Sequence, residues 1–309
     1  MKKSLIKGVI TPLITPIDQQ EKIDEKSLRN LVKYQLSNGV HGLWASGTSS
    51  EFPSLSEKER IKTIQLVVDE VNGEIPVIGN VTMPSTRLTL NLAKQSIGNG
   101  LSAIAATPPY YFPHTQTEIA DHYRTIRHSV DVPLWIYNIP SMHKTSVLPS
   151  TVATLAKEGV ISGIKDSSGT GELLTELHIL RDTMGFDLCS TLGTSLRVGL
   201  AIGLGAQGVV PALANVIPSI FVDIWNCSKS GDFERIKSLN EKVMIALQIG
   251  LLSKSASSSF GSTLSGYKKA LVELGVIEFD LLTKPFKPLT SVESKEVSSI
   301  LNKLNITNV

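Results

Sequence analysis

Eight short apolar runs, most of them followed by a stretch of helical periodicity, constrain this chain more than any other feature. They cover residues 6–11, 42–46, 76–81, 102–107, 133–138, 160–165, 187–192 and 207–211. Most are continuously apolar rather than alternating, which predicts parallel strands covered on both faces. Between them, Leu28, Leu31, Val32 and Leu36 share one helical face that Asn38-Gly39 stops. Ile61, Ile64, Val68 and Val71 form a second face behind Ser56-Glu57-Lys58-Glu59, which has capping-box spacing. Ile119, His122, Tyr123, Ile126 and Val130 form a third. Eight strands with intervening helices predict a (β/α)8 TIM barrel, for which about 250 residues is typical. A doubly wound open sheet is the alternative, because local patterns do not show whether a sheet closes.

After Asn215 the strand signals fade. Helical patterns over 217–229, 232–251, 262–275 and 291–304 take their place, with a polar connector at 253–262. We therefore expect a catalytic barrel over residues 1–220 and a C-terminal helical extension over 221–309 packed on it. The 309 residues are 41% hydrophobic and 19% charged, a balance that suits a large soluble core. The net charge of +2 comes from interleaved signs, so no basic footprint for nucleic acid or a membrane surface stands out. Cys189 and Cys227 are far apart and in no metal-ligand spacing, which predicts reduced thiols and a cytoplasmic setting. Lys7, Gly8, Pro12 and Pro16 interrupt the apolar N-terminus, so a first strand is expected there rather than an export signal. No apolar run is long enough to span a bilayer.

"GLGAQG" at 203–208 matches the spacing of a dinucleotide-binding loop. That loop requires a strand before it and a helix after it. Here a helical stretch precedes and an apolar run follows, so the glycines read as a helix stop and a tight turn.

In a barrel, sites assemble where strands end and the following loops begin. Those ends are "SGTSSE" (46–51), "TPPYYF" (107–112), "IYNIPS" (136–141), "IKDSS" (164–168) and "TLGTS" (191–195). They bring one lysine, tyrosines, hydroxyls and glycine N–H groups to one face. They carry no His/Asp/Glu cluster with metal-ligand spacing, which disfavours a metal-dependent barrel lyase. Lys165 at such an end is either a packed stem with its head in water or an amine desolvated enough to attack a ketone. Tyr137 is either a packing residue or a proton shuttle. Thr48 and Ser49 either begin a loop or hold a carboxylate with hydroxyl and N–H donors. Tyr110-Tyr111, between prolines, reads by default as rigid aromatic packing.

Taken together, "GTSSE", "TPPYYF", "YNIP" and "GIKDSSG", in this order, resemble the dihydrodipicolinate synthase/N-acetylneuraminate lyase family. The resemblance extends from "KGVITPLITPID" through "GLGAQGVVPALANVIP" to "SKSGDFERIKSLNEKV". It implies a (β/α)8 barrel with a C-terminal helical extension, a homotetramer built as a dimer of dimers, and class I aldolase chemistry on pyruvate or a 2-keto acid plus an aldehyde, without a cofactor or metal. Carried over residue by residue, it makes Lys165 the Schiff-base lysine and Tyr137 the proton-relay tyrosine. Thr48 and Ser49 become the carboxylate loop, and Tyr111 the phenol that completes the relay in a neighbouring subunit. Ser167 would lie near the substrate, with Gly193 and Val210 lining the lysine pocket.

The chain also departs from the family pattern. Met142 stands where the synthases carry an arginine for the second substrate's carboxylate, and Lys144 replaces a glycine two residues on. Ser195 and Leu196 replace the acidic pair of the sialic-acid lyases, and Ser50 replaces a loop glycine, so that both glycine replacements could alter the local backbone. The expected activity is therefore cleavage of a 2-keto-3-deoxy sugar acid. A 2-keto-acid dehydratase or a dihydrodipicolinate synthase is the alternative within the family, and a non-catalytic 2-keto-acid-binding protein the alternative of another class.

Overall fold

The computed structural model describes residues 6–98, 100–253 and 258–306. Residues 254–257, within the polar connector expected at 253–262, and the first five residues of the chain lie outside the described residues. Eight parallel strands close in chain order: β1 (Gly8–Pro12), β2 (Gly42–Ala45), β3 (Val77–Asn80), β4 (Leu101–Ala106), β5 (Leu134–Asn138), β6 (Gly163–Asp166), β7 (Cys189–Leu192) and β8 (Gly208–Val209). The open-sheet alternative is thereby excluded, and the fold is a TIM barrel with C-terminal helices.

Every strand overlaps its expected run; Pro12 of β1, Leu101 of β4 and Asp166 of β6 each lie one residue outside it, and the other ends are trimmed or coincide. Residues 160–162 form no part of β6, because Val160 and Ile161 belong to the turn that leaves helix Pro149–Lys157. Lys165 is consequently the penultimate strand residue, and Asp166 the last. The strands alternate with helices Glu25–Ser37, Glu57–Val71, Thr86–Ser96, Gln116–Ser129, Pro149–Lys157 and Glu172–Met184, and Pro218–Ser230 follows β8. Between β7 and β8 there are instead two 3-10 turns, Val198–Leu200 and Ile202–Leu204. Gly205, at φ +81°, ends the second turn just before β8, so the glycines of 203–208 form the stop and tight turn expected of them. The capping box at Ser56 and Glu59 is present, and Thr115 with Glu118 forms another.

The chain divides into two compact units. The first comprises the described residues of 1–10, 41–44 and 73–210. Its core is the barrel interior, where Ile6, Ile10, Trp44, Ile78, Ala103, Ala105, Trp135, Tyr137, Cys189 and Val210 are buried together. Trp44 meets Trp135 edge-on at 6.2 Å between ring centroids. The parallel register sets Trp135 beside Gly163, and a Cβ at Gly163 would collide with the indole. Glycine is needed there for volume, since its backbone dihedrals lie outside the left-handed region.

The second unit comprises the described residues of 11–40, 45–72 and 211–309. Asn215 is its buried tie: its side-chain oxygen accepts from Ile14 N at 3.0 Å and its amide donates to Pro12 O at 2.8 Å. Tyr34 donates to Val216 O at 2.8 Å, and Gln35 to Ala214 O and Asn215 O at 3.2 Å. Helices Phe233–Leu247, Ser259–Glu273 and Ser291–Lys303 complete this unit. Ser259–Glu273 starts three residues earlier than its apolar periodicity indicates, because the Ser258 side chain accepts from Gly261 N and caps it. Among the described residues no helix is long and apolar enough to cross a membrane.

Gly163→Ala should destabilise the protein by roughly 2 kcal/mol through overpacking against Trp135, read as a lower urea midpoint with an unchanged slope.

Candidate active site

In a parallel barrel, side chains of neighbouring strands that pair in register point to the same face. Tyr137 of β5 pairs with Lys165 of β6, and Asn138 with Asp166 one step on. Tyr137 belongs to the barrel interior, so Lys165 faces inward beside it. The Lys165 Nζ lies 4.2 Å from the centroid of the Tyr137 ring and 4.9 Å from that of Trp44. The residue is only 5% exposed, which excludes the reading of a strand-end lysine with its head in water. Tyr137 is also buried and meets Trp44 edge-on at 5.4 Å. Aromatic faces in this position attract a cation formed on the amine.

The pocket wall beside this amine is tight. A Cβ on Gly193 would meet the Ser167 hydroxyl and lie 3.1 Å from Lys165 Cε. Ser167 N donates to Asn138 O at 2.7 Å, and Gly193 N donates to Asp166 O at the same distance. Val210 continues past β8, donating from its N–H to Leu192 O at 2.8 Å, and is buried in the barrel interior. Lys165 thus lies beside Tyr137, Ser167 and Gly193, and Val210 is buried with Tyr137 in the barrel interior.

Asn138 and Asp166 carry a network that reasoning from the sequence missed. Asn138 Nδ2 donates to Asp166 Oδ1 at 2.8 Å, and Val147 N donates to Asn138 Oδ1 at 3.2 Å. Ser168 donates to Asp166 through its N–H at 3.1 Å and its hydroxyl at 2.8 Å. The signal was available in strand alternation: if Tyr137 and Lys165 face inward, the next residue of each strand faces outward. Two adjacent buried polar groups on that face must satisfy one another.

Thr48 and Ser49 lie in the second unit, in the 3-10 turn Thr48–Ser50 that follows β2. Ser50 occupies a backbone conformation open to any residue, and its hydroxyl donates to Leu13 O at 2.7 Å. Serine in place of glycine therefore costs this loop nothing in dihedral strain. Lys144 differs, because at φ +71° it ends the short helix Pro140–His143 in the left-handed region that favours glycine. Met142, in that helix, is 48% exposed. Tyr111 is 76% exposed, at φ +85°, and meets Phe112 edge-on.

His143 was also missed. It is buried, and its Nε2 accepts from Ile139 N at 2.8 Å, which makes the imidazole neutral at that nitrogen. Burial lowers its pKa to about 4. His122, whose Nδ1 lies 2.9 Å from the Thr86 hydroxyl, is lowered to about 4 for the same reason.

The sequence pattern that defines the dihydrodipicolinate synthetase family matches residues 5–304. The chain belongs to that family. A 4-hydroxy-tetrahydrodipicolinate synthase of Methanopyrus kandleri is 36% identical over 241 residues, covering 77% of this chain and 79% of the relative. Among solved structures, dihydrodipicolinate synthase from Thermotoga maritima superposes with a TM-score of 0.87 at 28% identity, covering 98% of this chain and 100% of that one. The dihydrodipicolinate synthase of Acinetobacter baumannii, solved as a complex with pyruvate, gives 0.84 at 28% identity over 97% of this chain and 99% of that one. As a family member the chain is an enzyme, a class I pyruvate-dependent lyase.

Two outcomes follow from the loop after β5. Lys144→Gly should stabilise the protein by about 1 kcal/mol, whereas Lys144→Ala, which keeps a Cβ, should not. The two buried histidines remain neutral in the folded chain down to about pH 4, while an unfolded histidine protonates near 6.5. Their contribution is complete above pH 6.5 and is lost as the pH falls toward 4. His143→Gln should accordingly remove close to one proton from the uptake on unfolding at pH 5, measured from the pH dependence of the unfolding free energy.

Proposed function

We propose that this lyase forms a Schiff base between Lys165 and the ketone carbon of pyruvate or a 2-keto acid. The observation that carries this reading is the lysine itself, buried in a barrel interior with its amine over two aromatic faces and a phenol-bearing residue in register beside it. Nζ attacks C2, and loss of water leaves a protonated imine. That cation draws electrons from the C3–C4 bond on cleavage, so the pair moves to C3 as an enamine. Tyr137 takes the proton of the C4 hydroxyl as the aldehyde leaves, or returns it in condensation. The faces of Trp44 and Tyr137 favour the iminium by attraction to its charge. Thr48 and Ser49 bind the substrate carboxylate, and Ser167 offers a hydroxyl at the wall formed with Gly193 and Val210. Tyr111, exposed on one chain, fits a residue that completes the relay in a neighbouring subunit of a homotetramer.

For the second substrate we propose the aldehyde released from a 2-keto-3-deoxy sugar acid. Met142 and the exposed Lys144 supply no paired cation comparable to an arginine fork, which favours a hydroxylated partner over a second carboxylate. The names of the synthase relatives favour a second reading, condensation of pyruvate toward dihydrodipicolinate. The conditions under which the chain meets its substrate are those of a cytoplasmic enzyme.

Incubation with pyruvate and borohydride should leave a reduced adduct on Lys165, detected by peptide mass spectrometry, and Lys165→Ala should leave none. An unmodified Lys165 at saturating pyruvate overturns the Schiff-base reading. A panel of 2-keto-3-deoxy sugar acids, dehydration substrates and the synthase reaction then decides between the two partner classes. Tyr111→Phe should lower turnover about 100-fold or more, in the range of a lost general acid or base, while leaving imine trapping intact.

A further inference from the structure

The turn Thr48–Ser50 ends at Glu51, a buried residue held at φ +59° in the left-handed region. Its carboxylate is fully engaged within the second unit. Oε1 accepts from Lys268 Nζ at 2.6 Å, and Oε2 accepts from Thr283 N at 2.8 Å and from the Thr283 hydroxyl at 2.7 Å. Lys268, in the middle of helix Ser259–Glu273, is wholly buried and also donates to Leu281 O at 2.7 Å. The same loop is held at two further points. Ser50 donates to Leu13 O, and the Ser46 hydroxyl accepts at 3.1 Å from Arg60 Nε, whose guanidinium lies 4.7 Å over the Phe52 ring.

An ion pair with both partners out of water is a poor stabiliser, because desolvation offsets most of its attraction. What such a pair does well is fix geometry, since both charged groups are tied to specific partners, Lys268 to Glu51 and the Leu281 carbonyl, and Glu51 also to Thr283. It also removes a hazard. A buried carboxylate two residues from a loop that holds an anion would repel that anion, and Lys268 neutralises it at contact distance.

We propose that Glu51 and Lys268 are positioning residues for substrate binding: the pair locks the Thr48–Ser49 loop in the conformation that receives the 2-keto acid's carboxylate, and so makes the C-terminal helices part of substrate recognition. This rests on the assignment of Thr48 and Ser49 to the carboxylate. Neither Glu51 nor Lys268 touches substrate in this scheme, and no chemical step passes through them.

The test is the pyruvate concentration giving half-maximal borohydride trapping on Lys165, measured alongside thermal unfolding. In Glu51→Gln/Lys268→Met both charges are removed together, so no buried charge is stranded. The expected result is a folded protein whose half-saturating pyruvate rises tenfold or more, with the trapping rate at saturation within about twofold of the parent. Methyl pyruvate, which lacks the carboxylate charge, should show no such rise, and a merely structural defect would affect both ketones alike. A folded double variant with unchanged half-saturation, or with equal shifts for the two ketones, overturns the proposal. If the double variant does not fold, Thr283→Val, which removes only the hydroxyl contact to Glu51, serves in the same assay. It should raise half-saturation about threefold for pyruvate alone, and no change overturns the proposal. Thr48→Val/Ser49→Ala separates the two levels of inference. Unchanged pyruvate half-saturation there removes the carboxylate assignment itself. A rise there with none in the Glu51 and Lys268 variant removes only the positioning role.

Discussion

Parallel pairing of β5 with β6 sets Tyr137 beside Lys165 inside the barrel, and Asn138 beside Asp166 on the other face of the same two strands. A shift by one residue would exchange the two faces, setting an amide and a carboxylate beside Trp44 and Ile78 in the apolar interior and turning the lysine away from it. The inner pair and the outer pair therefore depend on one another. The outer hydrogen bonds satisfy groups that have no place in an apolar interior, and in doing so hold the strand ends from which the amine and the phenol project. Gly163 contributes by volume, since only its missing side chain lets the Trp135 indole lie against the strand that carries Lys165.

Buried charge is handled in two different ways in this chain. Lys165 has no carboxylate paired in contact among its described interactions and instead lies over ring faces. Lys268 is surrounded by acceptors and committed to them, with Glu51 and the Leu281 carbonyl both within 2.7 Å. The first lysine suits a group that must react, the second a group that must stay where it is.

The barrel was legible because continuous apolar runs, spaced for parallel crossovers, leave few other ways to hide eight strands. Strand ends were less legible, as at Val160 and Ile161, where apolarity serves a turn. Lys165 was ambiguous alone and took on meaning from the motifs at the other strand ends. Met142, Lys144 and Ser50 were visible as departures, but their cost was not: Ser50 fits its turn without strain while Lys144 occupies a glycine-like conformation. The bond between Glu51 and Lys268 joins residues 217 positions apart, and no local pattern in either segment points to the other. His143 was hidden for a similar reason, since what defines it is the N–H of Ile139 folded back onto its ring.

Gly193 has a consequence for how such an enzyme can diversify. With Ser167 and the Lys165 stem at the limit of approach, position 193 has no room for a larger side chain, so nothing can be added there without moving Lys165. The helix Pro140–His143 is the opposite case, with exposed side chains at Met142 and Lys144 above a buried, hydrogen-bonded His143. One part of the chain is thus closed to variation by contact and another is open to it by exposure.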